Sequence, residues 1–358
     1  MAMSPEPEKP SAAGPAAGMP RASAAPPPPT ITVQQPGGGL HRLFTWLLAS
    51  LLISSLFANL VMYVRYNEYF TSDEVPSERF HSGERDAADK LAIIRVTGTI
   101  MPPFSDRVLK AIKKAKDDER VKGVVLAVDS PGGTVAHSHQ IYHRLQELAA
   151  KKPVFVSMGS MAASGGYFVA MGAGTKARIF AQRTTWTGSI GVIIPRYELT
   201  ELAEKVGVKD APLKTGEFKD SLSPFRPMSE RDRELWENIL NQSFDLFVEV
   251  IDENRDTLDR DGVKALATGE IYTAADAKKK GLIDEIGFEE DAVEALQKSL
   301  GLSQARVVEY QHPIGLIDLL LSSAKANDPA AQWRALLETT TPRAMYYCSW
   351  GLPVVQPE

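Results

Sequence analysis

Two glycine-rich stretches of this sequence carry residue types suited to acyl-transfer chemistry. Residues 157–167 read S-M-G-S-M-A-A-S-G-G-Y, behind an apolar lead-in at 153–156, and Ser164 stands directly before Gly165 and Gly166. Small side chains let a ligand and neighbouring backbone approach closely, and glycine tolerates positive φ while leaving its N–H uncovered. A serine in such a turn can present its hydroxyl where a substrate carbonyl would lie, so Ser164 is the candidate nucleophile. The stretch departs from the G-x-S-x-G elbow of the α/β-hydrolases, because Ala162 occupies the first glycine position. The second stretch, D-S-P-G-G at 129–133, follows the apolar run 121–128.

A serine hydroxyl needs a base. The six histidines are His41, His81, His137, His139, His143 and His312. His139 and His143 are spaced i, i+4, but Gln140, Ile141 and Tyr142 lie between them and no glutamate completes an H-E-x-x-H zinc motif. A desolvated lysine is the other option, since burial disfavours the ammonium. Lys219, in K-T-G-E-F-K-D-S (214–221), has apolar neighbours. Residue type and spacing alone do not choose between these bases.

The elements that must position Ser164 alternate. Strand-like apolar runs at 91–96, 121–128 and 154–157 are separated by helical spacing at 105–118 and 136–150. Such alternation predicts parallel crossover units, with both glycine turns emerging at the carboxyl ends of neighbouring strands, where open α/β sheets bind ligands. Further on, Ser229 precedes a long helical pattern through Leu235, Ile239, Phe244, Phe247, Val248 and Ile251. Helices are also expected at 259–267 and 290–300, and a strand at 306–310.

The remaining segments set the domain organisation. Residues 1–42 form a Pro/Gly-rich tail that cannot bury enough apolar surface to offset its ordering entropy, and are read as disordered. Residues 43–65 hold 22 consecutive uncharged positions, 43–64, and are read as a transmembrane helix. Basic residues before it and acidic ones after it favour an N-terminus inside. Residues 66–89 read as a polar stalk linker, 90–310 as the catalytic domain and 311–358 as a C-terminal extension with an apolar helix at 314–323. A net charge of −5 argues against general nucleic-acid affinity, and the single cysteine, Cys348, excludes an internal disulfide framework and a cysteine-rich metal site.

Taken in order, D-S-P-G-G (129–133), S-M-G-S-M-A-A-S-G-G-Y (157–167), T-G-S-I-G-V (187–192), G-E-F-K-D (216–220) and G-E-I-Y-T-A-A-D-A-K-K-K-G-L-I-D (269–284) resemble the signal peptide peptidase A family of membrane-bound serine–lysine proteases, in its short single-domain form. The resemblance covers residues 90–310. It implies an α/β fold of the Clp protease and crotonase type, with a parallel sheet and crossover helices behind one transmembrane helix. It implies Ser164 as nucleophile, Lys219 as general base, Gly133 and Gly165 as oxyanion amides, and Ser189 as the hydroxyl that positions the lysine. It further implies peptide substrates such as residual signal peptides and no cofactor. A homo-oligomer would share each site between protomers, with the catalytic domain outside the cytoplasmic membrane. The pocket beside Ser164 is expected to be small and apolar, lined by Met158, Met161 and Val135. A crotonase-like acyl-CoA enzyme would keep the paired amides without needing Ser164 or Lys219, and a non-catalytic scaffold would need neither.

Overall fold

A computed structural model of the chain describes residues 39–71, 76–311 and 344–347. Most of the tail expected at 1–42, and the helix expected at 314–323, lie outside them. In chain order the elements are α1 (Gly39–Thr71), β1 (Ser77–Gly83), β2 (Lys90–Thr97), α2 (Phe104–Asp117), β3 (Val121–Ser130), β4 (Gly132–Thr134), α3 (Val135–Ala149), β5 (Val154–Ala163), α4 (Gly165–Ala170), β6 (Ile179–Ala181), β7 (Trp186–Gly188), α5 (Thr200–Lys205), α6 (Glu230–Asn254), α7 (Arg260–Leu266), β8 (Ile271–Thr273), α8 (Ala274–Lys279), β9 (Glu285–Ile286), α9 (Glu289–Ser299), β10 (Arg306–Gln311) and β11 (Met345–Tyr347).

Helix α1 is a unit of its own, and its segment Arg42–Val64 is long and apolar enough to cross a membrane. The second unit begins at Asp73 and is built on a nine-stranded sheet in the order β1-β10-β2-β3-β5-β6-β9, with β7 paired to both β5 and β8. The central pairs are parallel; β1 with β10 and β7 with β8 are antiparallel.

Both faces of the sheet are covered, which is why its central strands read as nearly continuous apolar runs. Side chains alternate across the pleat. Ala92, Ile94 and Val96 face the larger core with Val108 and Ile112 of α2 and Ile141 and Leu145 of α3. Leu91 and Ile93 face a smaller core with Ala292, Val293 and Leu296 of α9.

Helix α1 runs from Gly39 to Thr71, past the 43–65 expected and into residues read as tail and stalk, and three boundaries in the second unit also differ from expectation. Residues 77–83, expected within the stalk, form the edge strand β1. Lys90 helps to explain this. Its side chain is fully buried, and an unpaired buried ammonium is costly. Glu78 of β1 at 2.7 Å and Asp118 at 3.0 Å supply the counter-charges. Second, β5 runs on through the small residues to Ala163 rather than ending near Ser157. Third, residues 345–347, expected in an extension beyond the domain, pair with β4 in a two-stranded ladder.

Candidate active site

Ser164 sits where β5 meets α4. It has φ 53° and ψ −116°, a conformation strained for any residue with a Cβ. Two backbone bonds over-determine it: its N–H donates to the Gly188 carbonyl at 2.7 Å, and its carbonyl accepts from the Phe168 N–H at 2.9 Å. The strand–turn–helix strain is that of a nucleophile elbow, reached without the G-x-S-x-G motif. Glycine at 166 is a packing requirement, since a Cβ there would lie 2.8 Å from the Ser130 carbonyl oxygen. The Ser164 side chain is buried, and its Oγ has no hydrogen-bond partner. An unpaired buried hydroxyl costs free energy unless a substrate or a base completes it.

The two glycine turns meet beside Ser164. A Cβ on Gly165 would stand 3.0 Å from the Gly133 nitrogen, and one on Gly132 would stand 2.7 Å from the Gly165 nitrogen. Gly133 is hemmed in by the backbone of Ile100, whose N–H donates to the Gly132 carbonyl at 2.8 Å and whose carbonyl accepts from Thr134 N–H at 3.0 Å. The Gly133 and Gly165 backbones thus approach each other closely beside Ser164.

Ser189 directly follows β7 as Ser164 directly follows β5, and the two strands pair in parallel with Ala163 opposite Gly188. It too has positive φ, 48°, and its N–H donates to the Glu270 carbonyl at 2.7 Å. The glycine before it is needed for space as well as for its φ of 84°: a Cβ on Gly188 would lie 2.6 Å from the Tyr272 ring.

Lys219 is placed differently. It lies on a short 3-10 turn, Glu217–Asp220, and is exposed. The charged neighbours in this loop are paired: Lys214 with Asp220 at 2.8 Å, Arg226 with Asp220 at 2.9 Å and with Asp232 at 2.7 Å, and Arg231 with Glu217 at 2.7 Å. Lys214 and Arg226 hold the Asp220 carboxyl below the usual aspartate range, and Arg226 does the same for Asp232. Asp232 and Ser229 form the capping box that starts α6, so the clamp is anchored to a long helix. Ser164 Oγ has no hydrogen-bond partner among the described residues, so no hydrogen bond joins it to the Lys219 amine within one chain. The histidines weighed as bases are engaged elsewhere. His137 hydrogen-bonds Thr134 at 2.6 Å, His143 lies 3.3 Å from Glu147, and His139 packs near the Tyr142 and Phe168 rings.

The core beneath the turn is aromatic. Met158 is buried in the same core as Phe168 of α4, Phe247 of α6 and Tyr346, whose rings lie against one another.

The Clp protease family model matches residues 82–187, and the model of peptidase family S49 matches residues 146–303. The chain is 33% identical over 289 residues to an Enterococcus faecium protein named "Putative signal peptide peptidase SppA", covering 77% of this chain and 81% of that one. It is 32% identical to "Protease 4" of Haemophilus influenzae over 76% of this chain and 46% of that protein. It is 30% identical to "Serine protease SPPA, chloroplastic" of Arabidopsis thaliana over 65% of this chain and 36% of that protein. The mostly parallel sheet with its flanking helices is therefore a Clp protease-like fold. The chain belongs to the signal peptide peptidase A family, peptidase family S49, and is a serine protease.

Proposed function

We propose that this protein is a membrane-anchored endopeptidase in which Ser164 attacks the scissile carbonyl and Lys219 is the general base. The observation that carries the reading is the strained Ser164 turn, with its buried, unpaired Oγ beside the Gly133 and Gly165 amides. In the reaction Ser164 Oγ bonds to the carbonyl carbon while its proton passes to a neutral Lys219 amine. The two amides hold the oxyanion, the peptide C–N bond breaks, and the leaving nitrogen takes the proton. Water then hydrolyses the acyl-enzyme. Ser189, directly after β7, orients the lysine.

Lys219 comes from a neighbouring protomer. Its side chain is exposed in one chain, where a second copy could cover it. The loop around it is suited to such a contact. Tyr197 (71% exposed), Leu202, Val206, Val208, Leu213 (103% exposed) and Phe218 leave more apolar surface open than a monomer needs. Helix α1 anchors the protein in the cytoplasmic membrane with its N-terminus inside and the catalytic domain outside. Residual signal peptides, extended once released and apolar, are the substrates, as the name of the Enterococcus relative indicates for that protein.

The test uses Ser164→Ala, Lys219→Ala and an equimolar co-assembled mixture, assayed with a fluorogenic peptide. Two inactive single variants and a partly active mixture are expected. Full activity in either single variant would remove that residue from the mechanism. An inactive mixture whose mixed oligomers are demonstrated would place both residues in one chain.

A further inference from the structure

Ser138 is a polar residue that the packing of α3 does not account for. The buried stripe of this helix is Ser138, Ile141, Tyr142, Leu145 and Leu148, at i, i+3, i+4, i+7 and i+10. The last four belong to the larger core. Ser138 is fully buried too, and its Oγ has no hydrogen-bond partner among the described residues. A serine inside a helix can return its hydroxyl to the carbonyl four residues earlier, here that of Thr134, and this one does not. Alanine would form the helix better and bury no unpaired oxygen. The Ser138 and Ser164 hydroxyls are thus both buried without a partner, and both stand where the two glycine turns meet.

The Ser138 hydroxyl faces Gly165. A Cβ on Gly165 would stand 2.7 Å from Ser138 Oγ and 3.0 Å from the Gly133 nitrogen, so this hydroxyl and a candidate oxyanion amide border the same point. The Tyr346 carbonyl oxygen lies 3.0 Å from that point as well, but Ser138 makes no bond to it. Two contacts fix the helix there. Tyr142 of α3 packs on Phe168 of α4 with ring centroids 5.2 Å apart, and α4 begins at Gly165 itself. The start of α3 is tied down by the Thr134 N–H, which donates to the Ile100 carbonyl at 3.0 Å. Ser138 also lies one turn from the N-terminus of a fifteen-residue helix, the end at which negative charge is stabilised.

We infer that Ser138 is a further catalytic residue: its hydroxyl donates to the substrate carbonyl oxygen as negative charge develops there, a third donor beside the Gly133 and Gly165 amides. This rests on the reading of Ser164 as nucleophile. Ser138 gives up no proton and forms no covalent bond. When the C–N bond breaks, the charge returns into the carbonyl and the hydroxyl is free again. A hydroxyl rotates to suit its acceptor, so it can follow the oxygen as the carbonyl carbon becomes tetrahedral, which a fixed backbone amide cannot do. A bond made in the transition state and not in the ground state raises kcat without tightening substrate binding. The unpaired hydroxyl of the free enzyme is a donor held ready for that moment.

The experiment compares wild type, Ser138→Ala and Ser164→Ala as full-length, detergent-solubilised proteins. A fluorogenic peptide gives kcat and KM, and thermal unfolding gives Tm. A peptide aldehyde, whose adduct with a serine places an oxygen at the oxyanion position, gives an inhibition constant. In Ser138→Ala, kcat should fall on the order of 10²-fold, as for the loss of one oxyanion donor, with KM unchanged. Aldehyde binding should weaken about tenfold or more. Its Tm should equal or exceed that of wild type, because the hydroxyl removed had no partner. A residue that only filled the core or braced the turn would not combine slower catalysis with undiminished stability. Unchanged kcat in Ser138→Ala beside an inactive Ser164→Ala overturns the inference and leaves the protease reading intact. A lower kcat with Tm several degrees down, or with aldehyde affinity unchanged, overturns it too. Full activity in Ser164→Ala sinks the reading of the site and the inference together.

Discussion

The two halves of the proposed dyad are supported in opposite ways. Ser164 is held on a buried floor where β5, β7, β4 and α4 meet, and backbone hydrogen bonds and crowded glycines determine its position. Lys219 is held at the surface by paired charges on a loop with few buried residues. The contrast separates geometry from assembly. A nucleophile and its oxyanion amides must be preorganised to a fraction of an ångström, which packed backbone provides. A base delivered to another subunit must be exposed until the subunits meet, and ion pairs keep such a loop shaped without burying it.

This contrast predicts separable effects. The largest is expected from Lys219→Ala, which should lower activity on the order of 10³-fold or more. Its melting temperature should stay within about 1 °C of wild type, as for most surface substitutions. A large loss of stability would show that Lys219 is structural. Gly165→Ala should lower kcat on the order of 10²-fold by disturbing an oxyanion donor. It should also destabilise the domain, because the new Cβ would meet Ser138 Oγ at 2.7 Å; unchanged kcat would move the oxyanion site elsewhere. Phe168→Ala, in the floor, should cost about 3–5 kcal/mol in denaturant unfolding. A cost under about 1 kcal/mol would mean that the aromatic cluster does not support the turn.

Smaller effects belong to the loop. Arg226→Ala removes the Arg226 ion pairs to Asp220 and Asp232, leaving Lys214 on Asp220, and should lower activity about tenfold with little change in the cooperative unfolding of the sheet. Equal losses of activity in Arg226→Ala and Lys219→Ala would show that the clamp and the base act as one unit. The mildest effect is acid loosening. Both carboxyls are held below their ordinary value of 3.8, so their contribution is complete above that pH and is lost as pH falls further toward the folded values. Trp236, whose indole N–H donates to Ser221 Oγ at 2.9 Å, reports on the loop. Its fluorescence, taken as the difference from Trp236→Phe, should change below about pH 4. A change already complete at pH 6 would contradict the sign.

Much of the fold is legible in local patterns. The runs at 91–96 and 121–128 and the helical spacing at 105–118 predict β2, β3 and α2 within a few residues, because these elements are buried on a regular face and composition follows burial. Ser229 predicts the start of α6 because a cap is a local signal. Ser164 and the glycine turns are legible for the same reason, whereas Lys219 was reached only through the family resemblance, since an exposed lysine on a loop looks like any solvated charge.

By itself, then, the sequence determined the parallel crossover units, the long apolar segment at 43–64, the two amide-bearing turns and the serine between them. Each is written in consecutive residues. Tertiary structure alone decided the rest. It joined residues 77–83 to the sheet, where Glu78 meets buried Lys90. It put Ser164 into a strained conformation that depends on the carbonyl of Gly188, and it laid Tyr346 across Gly133. These are pairings between distant backbone groups. Every residue but proline offers the same N–H and C=O, so such pairings leave little mark in residue type.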